Sequence, residues 1–264
     1  MTVSFTFIGN ATALIGWGPF TLSTDPNFLH VGQRAYLGRG LTSKRLLDPA
    51  RTVKELPPLD AVVLSHLHGD HWDRVARRGL DRSLPIVTTP HAARRLQRLH
   101  RYKAATGIEN WESHTLTKER STVRITSLPG RHAPEGAGKV LPPVMGSLLE
   151  FGDSGGDVAH RVYVTGDTLM YDGLSEIAHR YPDIDVAVVH LGGTMLPGGV
   201  LVTMDAVQGA DLIELVQPTR AVPVHMEDYT VFTSTLADFQ REVVHRGLTQ
   251  RVRVVGRGET VTFD

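Results

Sequence analysis

The stretch DAVVLSHLHGDHWD, residues 60–73, joins a continuous apolar run to six residues that hold four potential metal ligands. The run Ala61 to Leu64 suits a strand buried on both faces, where apolar residues follow one another without alternation. A turn leaving such a strand aims several side chains into one space. Alternation places His66 and His68 on one side, and Gly69 lets the backbone bend and present Asp70 and His71 elsewhere. Neutral imidazoles and carboxylates suit zinc, iron or manganese. The plainer alternative makes these four residues polar positions of a surface turn.

Further candidates lie outward from this segment, each at the end of a strand-like run. His132 in SLPGRHAP follows TVRITSL, Asp167 stands in YVTGDT, and His225 in AVPVHMEDY ends another apolar run. Upstream, Asp25 closes the strand-like FTLST, and an Asp-Pro turn starter is the alternative reading there. A lone histidine is more often a hydrogen-bonded core or surface residue than a ligand. His190 ends DVAVVH just before LGGTMLPGG, a glycine-rich run without the lysine of a phosphate loop. Tyr229 lies four residues past His225. Both are candidates to hold substrate or protonate a leaving group; packing is the alternative for Tyr229, and a backbone hydrogen bond for His190.

The remaining pattern predicts a β-meander over the first 25 residues, then strands at 60–65 and 85–89 and a helix near 91–102. TVRITSLPG, VMGSLLEFG and RVYVTGD form a second β-rich series. Helices near 173–181, 204–216 and 234–246 then alternate with the strands DVAVVH and RAVPVH, and VRVV and TVTF close the chain. The order meander, β/α units, meander, β/α units implies an α/β (α+β) chain of two similar halves whose sheets face each other with helices outside. Residues 27–58 lack periodicity and carry six Lys or Arg against one acid, Asp48, between Arg34 and Lys54. That excess suggests a cover over an anionic substrate, with solvated side chains as the alternative. Nine more basic residues against Asp81 alone fill 74–103, most of them suited to the outer face of a helix.

Composition narrows the chemistry. The 264 residues suit one domain spanning 1–264, and 28 basic against 28 acidic residues give no global attraction to nucleic acid or anionic membranes. There is no cysteine, which excludes disulfides, thiolate metal sites and cysteine nucleophiles. No apolar run is long enough to span a bilayer, and the first residues, MTVSFTFIGN, lack a signal-peptide pattern, so a cytoplasmic protein is expected.

HxHxDH after a buried strand, followed by His132, Asp167 and His225 at later strand ends, resembles the signature of the metallo-β-lactamase superfamily. The resemblance implies a four-layer αββα sandwich of two facing mixed sheets. It implies that His66, His68 and His132 bind one divalent metal, that Asp70, His71 and His225 bind a second, and that Asp167 bridges them. Zn2+ is the expected ion, with Mn2+ or Fe2+ as alternatives. Asp25 resembles the family's aspartate that accepts a hydrogen bond from a ligand imidazole. The implied mechanism is hydrolysis by a hydroxide shared between the metals, with Asp70 orienting it. The all-His/Asp pattern is similar to the glyoxalase II type. Histidine at 68, where flavodiiron proteins have glutamate, speaks against oxygen-reducing chemistry.

Within the superfamily, TDPN, LPGRH, TGDT and PVHMEDYTVF most resemble the branch of ascorbate-6-phosphate lactonase-like and N-acylphosphatidylethanolamine phospholipase D-like proteins. That implies cleavage of a lactone or ester, or of a phosphodiester, in a small, anionic substrate. The alternatives are a nuclease-type phosphodiesterase, disfavoured by zero net charge, and a non-catalytic metal-binding protein of the same fold. Self-association into a homo-oligomer is compatible with the sequence.

Overall fold

The opening alternation folds as β1 (Val3–Gly9), β2 (Thr12–Trp17) and β3 (Phe20–Thr24) in the computed structural model, which describes residues 1–134 and 141–264. These three strands pair antiparallel in sequence, as a meander. The first half continues with β4 (Arg34–Gly38), β5 (Leu41–Lys44), β6 (Ala61–Val63), α1 (Arg74–Gly79), β7 (Ile86–Thr88), α2 (Pro90–Leu99) and β8 (Ala105–Gly107). The second half opens with β9 (Ser113–Lys118), β10 (Ser121–Pro129), β11 (Met145–Asp153) and β12 (Val158–Val164). It then runs through α3 (Ser175–Arg180), β13 (Val186–His190), β14 (Met195–Leu196), β15 (Val200–Leu201), α4 (Ala206–Val216), β16 (Arg220–Val224), α5 (Leu236–His245) and β17 (Thr260–Phe263).

Two mixed sheets result, in the orders β17-β1-β2-β3-β6-β7-β8 and β16-β13-β12-β11-β10-β9. Side-chain alternation divides each strand between two layers of core. Phe5, Ile15, Leu22 and Val63 of the first sheet meet Val123, Leu149, Val164, Val188 and Val222 of the second in one buried cluster. The opposite faces pack on helices. Leu14, Val62 and Ile86 lie against Ala76, Ala93 and Leu96 of α1 and α2, while Leu148, Ala187 and Val189 lie against Ile177, Leu212, Ile213 and Phe239 of α3 to α5. Fully burying a Val, Leu or Phe is worth about 1.5–3 kcal/mol, so strands with both faces apolar are driven to the middle layers. The arrangement is the expected αββα sandwich. Among the described residues no helix is long and apolar enough to cross a membrane.

Three segments differ from the sequence expectation. The helix expected near 173–181 opens with a 3-10 turn at Asp172–Leu174 before α3. VRVV makes only a single bridge, Ala221 to Val252, because two backbone hydrogen bonds on either side of Ala221 are all that tie it to β16. The aperiodic stretch 27–58 contains the hairpin β4–β5, closed by Arg39 and Gly40 at φ of 48° and 81°. A two-residue hairpin turn with positive φ at both positions matches the twist of its strands.

That hairpin changes the reading of the basic loop. Arg45, just past β5, is wholly buried and donates to Asp228 at 3.1 Å, to Asn27 Oδ1 and to the Leu47 carbonyl. Arg257 reaches the same Asp228 carboxylate at 3.0 Å. Arg45 is therefore a structural cation and not available to a substrate. The hairpin also presses on the ligand-rich turn. Gly69 N donates to Tyr36 O at 2.8 Å, and a Cβ built on Gly69 would stand 2.6 Å from Tyr36 N and 2.8 Å from Tyr36 O.

Two predictions follow from this packing. Gly69→Ala forces a backbone-on-backbone clash, so it is expected to cost about 1–3 kcal/mol, as overpacking does. It should also lower bound metal in elemental analysis; wild-type metal content and melting temperature would disprove the close approach. Arg45→Ala leaves Asp228 short of one buried partner and is expected to cost about 3 kcal/mol or more in urea unfolding. A loss under about 1 kcal/mol, the worth of an exposed pair, would place Arg45 at the surface.

Candidate metal centre

Every ligand candidate leaves the edge where the parallel strands end. His66, His68, Asp70 and His71 follow β6, His132 follows β10, Asp167 follows β12 and His225 directly follows β16. All seven are buried. His66, His68 and His132 form one group whose ligand atoms lie within 4.8 Å of one another, and Asp70, His71, Asp167 and His225 form another. Either group can hold a metal ion.

The atoms facing inward are identified by their contacts. His68 Nδ1 is 3.0 Å from His66 Nε2 and 3.1 Å from His132 Nε2. His71 Nε2 is 3.1 Å from His225 Nε2, 3.3 Å from Asp167 Oδ2 and 3.8 Å from Asp70 Oδ2. Most outward nitrogens are occupied: His66 Nδ1 by Ser65 Oγ at 2.9 Å, His132 Nδ1 by the Val202 carbonyl at 2.8 Å, and His225 Nδ1 by the Leu191 carbonyl at 3.2 Å. A carbonyl can only accept, so His132 and His225 carry their proton on Nδ1 and turn a bare lone pair inward. Lone pairs converging at about 3 Å repel unless a cation lies between them. Asp70 Oδ1 and Asp167 Oδ1 are also buried without a hydrogen-bond partner among the described residues. Unsatisfied buried oxygens are rare and call for an ion or a water. The donor set thus fits divalent metal.

Asp25 lies beneath the second group. Its Oδ1 accepts from Ser65 N at 2.7 Å and its Oδ2 lies 3.1 Å from His71 Nδ1. His190 is also there, with Nε2 3.5 Å from Asp25 Oδ2 and Nδ1 3.2 Å from Thr165 Oγ1. Asp25, His71 and His190 make a third buried group. Tyr229 is brought elsewhere: its buried hydroxyl donates to Asn27 Oδ1 at 2.8 Å, and its ring lies 5.6 Å from the Arg45 guanidinium. Neither His190 nor Tyr229 joins the two groups that follow the HxHxDH turn.

Electrostatics sort the charges. Burial, with the neighbouring His132, pushes His68 down to about 3, and burial likewise lowers His66, His132 and His190. Burial works to raise Asp25, yet His71 and His190 bring it down to about 2. Asp167 is held well below the carboxylate range against its burial, by His225 and His71. Burial opposes protonation of His71, but Asp167, Asp25 and Asp70 hold that imidazole well above its usual value. Three ionised carboxylates therefore share this space, and they attract positive charge of any kind.

Sequence reasoning missed the supporting residues. Ser65 joins Asp25 to His66 and His71, Thr203 donates to Asp167 Oδ2 at 3.1 Å, and Asn10 Nδ2 donates to the Asp70 carbonyl at 2.7 Å. Thr203 and Asn10 are distant in sequence from their partners, and Ser65, though beside His66, is of a common residue type, so spacing carries no signal for them.

Comparison with known proteins agrees with this geometry. The family described as "Beta-lactamase superfamily domain" matches residues 31–226. A UPF0173 metal-dependent hydrolase of Deinococcus radiodurans is 30% identical over 207 residues, 76% of this chain and 78% of that protein. A second, from Archaeoglobus fulgidus, is 26% identical over 247 residues, covering 89% and 97%. Among solved structures, an isothiocyanate hydrolase from Delia radicum gut bacteria superposes with a TM-score of 0.82 over 99% of both chains at 19% identity, a likeness of fold. The chain belongs to the metallo-β-lactamase superfamily, within the UPF0173 group of metal-dependent hydrolases.

Proposed function

We propose that this hydrolase uses two divalent metal ions, zinc before manganese or iron, to cleave a lactone, ester or phosphodiester bond in a small anionic substrate. The observation that carries the reading is the pair of adjacent buried ligand groups, three histidines beside two aspartates and two histidines. When bound, two such ions lower the pKa of a water towards about 7 and polarise the substrate's carbonyl or phosphoryl oxygen.

In this reading His66, His68 and His132 hold one ion, Asp70, His71 and His225 hold the other, and Asp167 serves both. Asp70 has the further task of orienting the attacking water, through its unpartnered Oδ1. Asp25 fixes the His71 ring by accepting from Nδ1, so that Nε2 stays a lone-pair donor. His190 positions Asp25 from behind, and Tyr229 supports Asn27. The resemblance of TDPN, LPGRH, TGDT and PVHMEDYTVF to the lactonase-like and phospholipase D-like branch supports this substrate range, and the same chemistry serves carbon and phosphorus.

Two measurements test this. Metal analysis of gently purified protein is expected to give close to two equivalents per chain, and exhaustive chelation should abolish turnover of chromogenic esters or bis-nitrophenyl phosphate. Activity that survives chelation would sink the reading. Asp167→Ala is expected to cut kcat by several orders of magnitude, because both ions lose a ligand. Asp25→Ala should weaken metal binding or activity by about 10- to 100-fold, as losses of a ligand's hydrogen-bond partner do. An Asp25→Ala protein with unchanged metal content and rate would remove Asp25 from the site.

A further inference from the structure

A cavity of about 250 Å³ adjoins the ligand turn at Leu67 and Gly69, and no side chain of the two ligand groups lines it. Its lining includes Leu67, Gly69 and Trp72 of the turn, Arg34 from β4, and Arg74 and Arg77 from α1. These arginines come from the two basic stretches of the sequence, which the fold brings together around one opening. Among the described residues none of the three has a carboxylate within 4.0 Å. Two are fixed by neutral partners: Arg34 Nε donates to Thr42 Oγ1 at 2.9 Å, and Arg74 Nη1 contacts the Arg34 carbonyl at 3.4 Å.

Asp73, the one acid on the lining, does not neutralise them. Its carboxylate is buried and accepts from four backbone amides, those of Phe28, Leu29, Val75 and Ala76. The positive potential reaches His100 on the same wall. Burial first, then the guanidiniums of Arg77, Arg95 and Arg82, push that imidazole down to about 4, and its Nδ1 accepts from Trp72 Nε1 at 3.2 Å. Unpaired guanidiniums converging on a concave surface are the usual recognition device for phosphate and carboxylate. Leu29, Leu67, Tyr36 and Trp72 give the same cavity apolar and aromatic walls.

We propose that this cavity binds a small organic anion, one that joins a phosphate or carboxylate group to an apolar body, through Arg34, Arg74 and Arg77. The anion is either the charged end of the substrate or a separate small molecule, and the two share one recognition chemistry.

The probes are phenylphosphonate, which is not hydrolysed, and inorganic phosphate, titrated calorimetrically into the metal-loaded protein at low salt. Phenylphosphonate should bind more tightly than phosphate and quench the fluorescence of Trp72. Arg74→Ala/Arg77→Ala should weaken phenylphosphonate by about tenfold or more, the worth of one lost charge-assisted hydrogen bond. Arg34→Gln, at an exposed position, repeats the test should the double variant fold poorly. Arg94→Ala/Arg98→Ala removes the same charge from the exposed face of α2 and should leave affinity within about twofold, since neither guanidinium lines the cavity. Metal content should be wild-type in all variants, so that binding at the metals is held constant. Equal affinity in wild type and both cavity variants overturns the proposal, as does an equal loss in the α2 control. Competition by phenylphosphonate against a chromogenic ester, lost in the cavity variant, assigns the cavity to the substrate. Binding without competition assigns it to a separate ligand.

Discussion

Three buried carboxylates, Asp25, Asp70 and Asp167, are ionised side by side, and this concentration of negative charge organises the centre. Burying an ion costs several kcal/mol unless hydrogen bonds and opposite charge offset it. Asp25 meets the cost with Ser65 and two imidazoles, and Asp167 is partly satisfied by Thr203. What remains unsatisfied points at the same place as the bare nitrogens of His132 and His225. Such an arrangement is consistent with the metal dependence of the group to which the chain belongs.

The scaffold holds this charge by fixing backbone before side chains. Asp25 and His225 both lie in the left-handed region, at φ of 32° and 64°. Such conformations persist only where surroundings over-determine them. Asp25 is clamped by its own amide to the Val63 carbonyl and by Thr12 Oγ1 to its carbonyl, and His225 N donates to Asn10 O. Asn10 in turn joins Asp228 and the Asp70 carbonyl, and Asp228 anchors Arg45 and Arg257. One buried network therefore connects the first β-turn, the hairpin, the ligand turn and the segment after β16.

The two facing halves were legible in local pattern, and the gathering of seven ligand candidates in the resemblance that their order along the chain carries. Uninterrupted apolar runs marked β6, β13 and β16, and a histidine or aspartate just past such a run is conspicuous. The hairpin β4–β5 was not legible, since its alternation is short and its partners, Tyr229 and Thr230, lie about two hundred residues away. For the same reason Arg45 looked like one more loop cation; nothing in its neighbourhood of sequence announces Asp228. The charge excess of residues 34–54 was real, but the fold divides it, burying Arg45 and turning Arg34 towards α1. His190 and Tyr229 stood at suggestive positions, and only their hydrogen bonds show which neighbours they serve.

The first sheet is sealed by β17 pairing with β1, Val3 opposite Phe263, and the side-chain bond between Thr6 and Thr260 spans 254 residues. During translation at about 5–20 residues per second, roughly 13–50 s therefore separate the appearance of β1 from that of its outer neighbour. Throughout that interval one edge of β1 offers unpaired amides and carbonyls beside Phe5 and Phe7, the kind of edge on which chains aggregate. Ser4 and Thr6 alternate with Val3, Phe5 and Phe7 along β1 and interrupt the apolar surface of that edge until synthesis supplies β17.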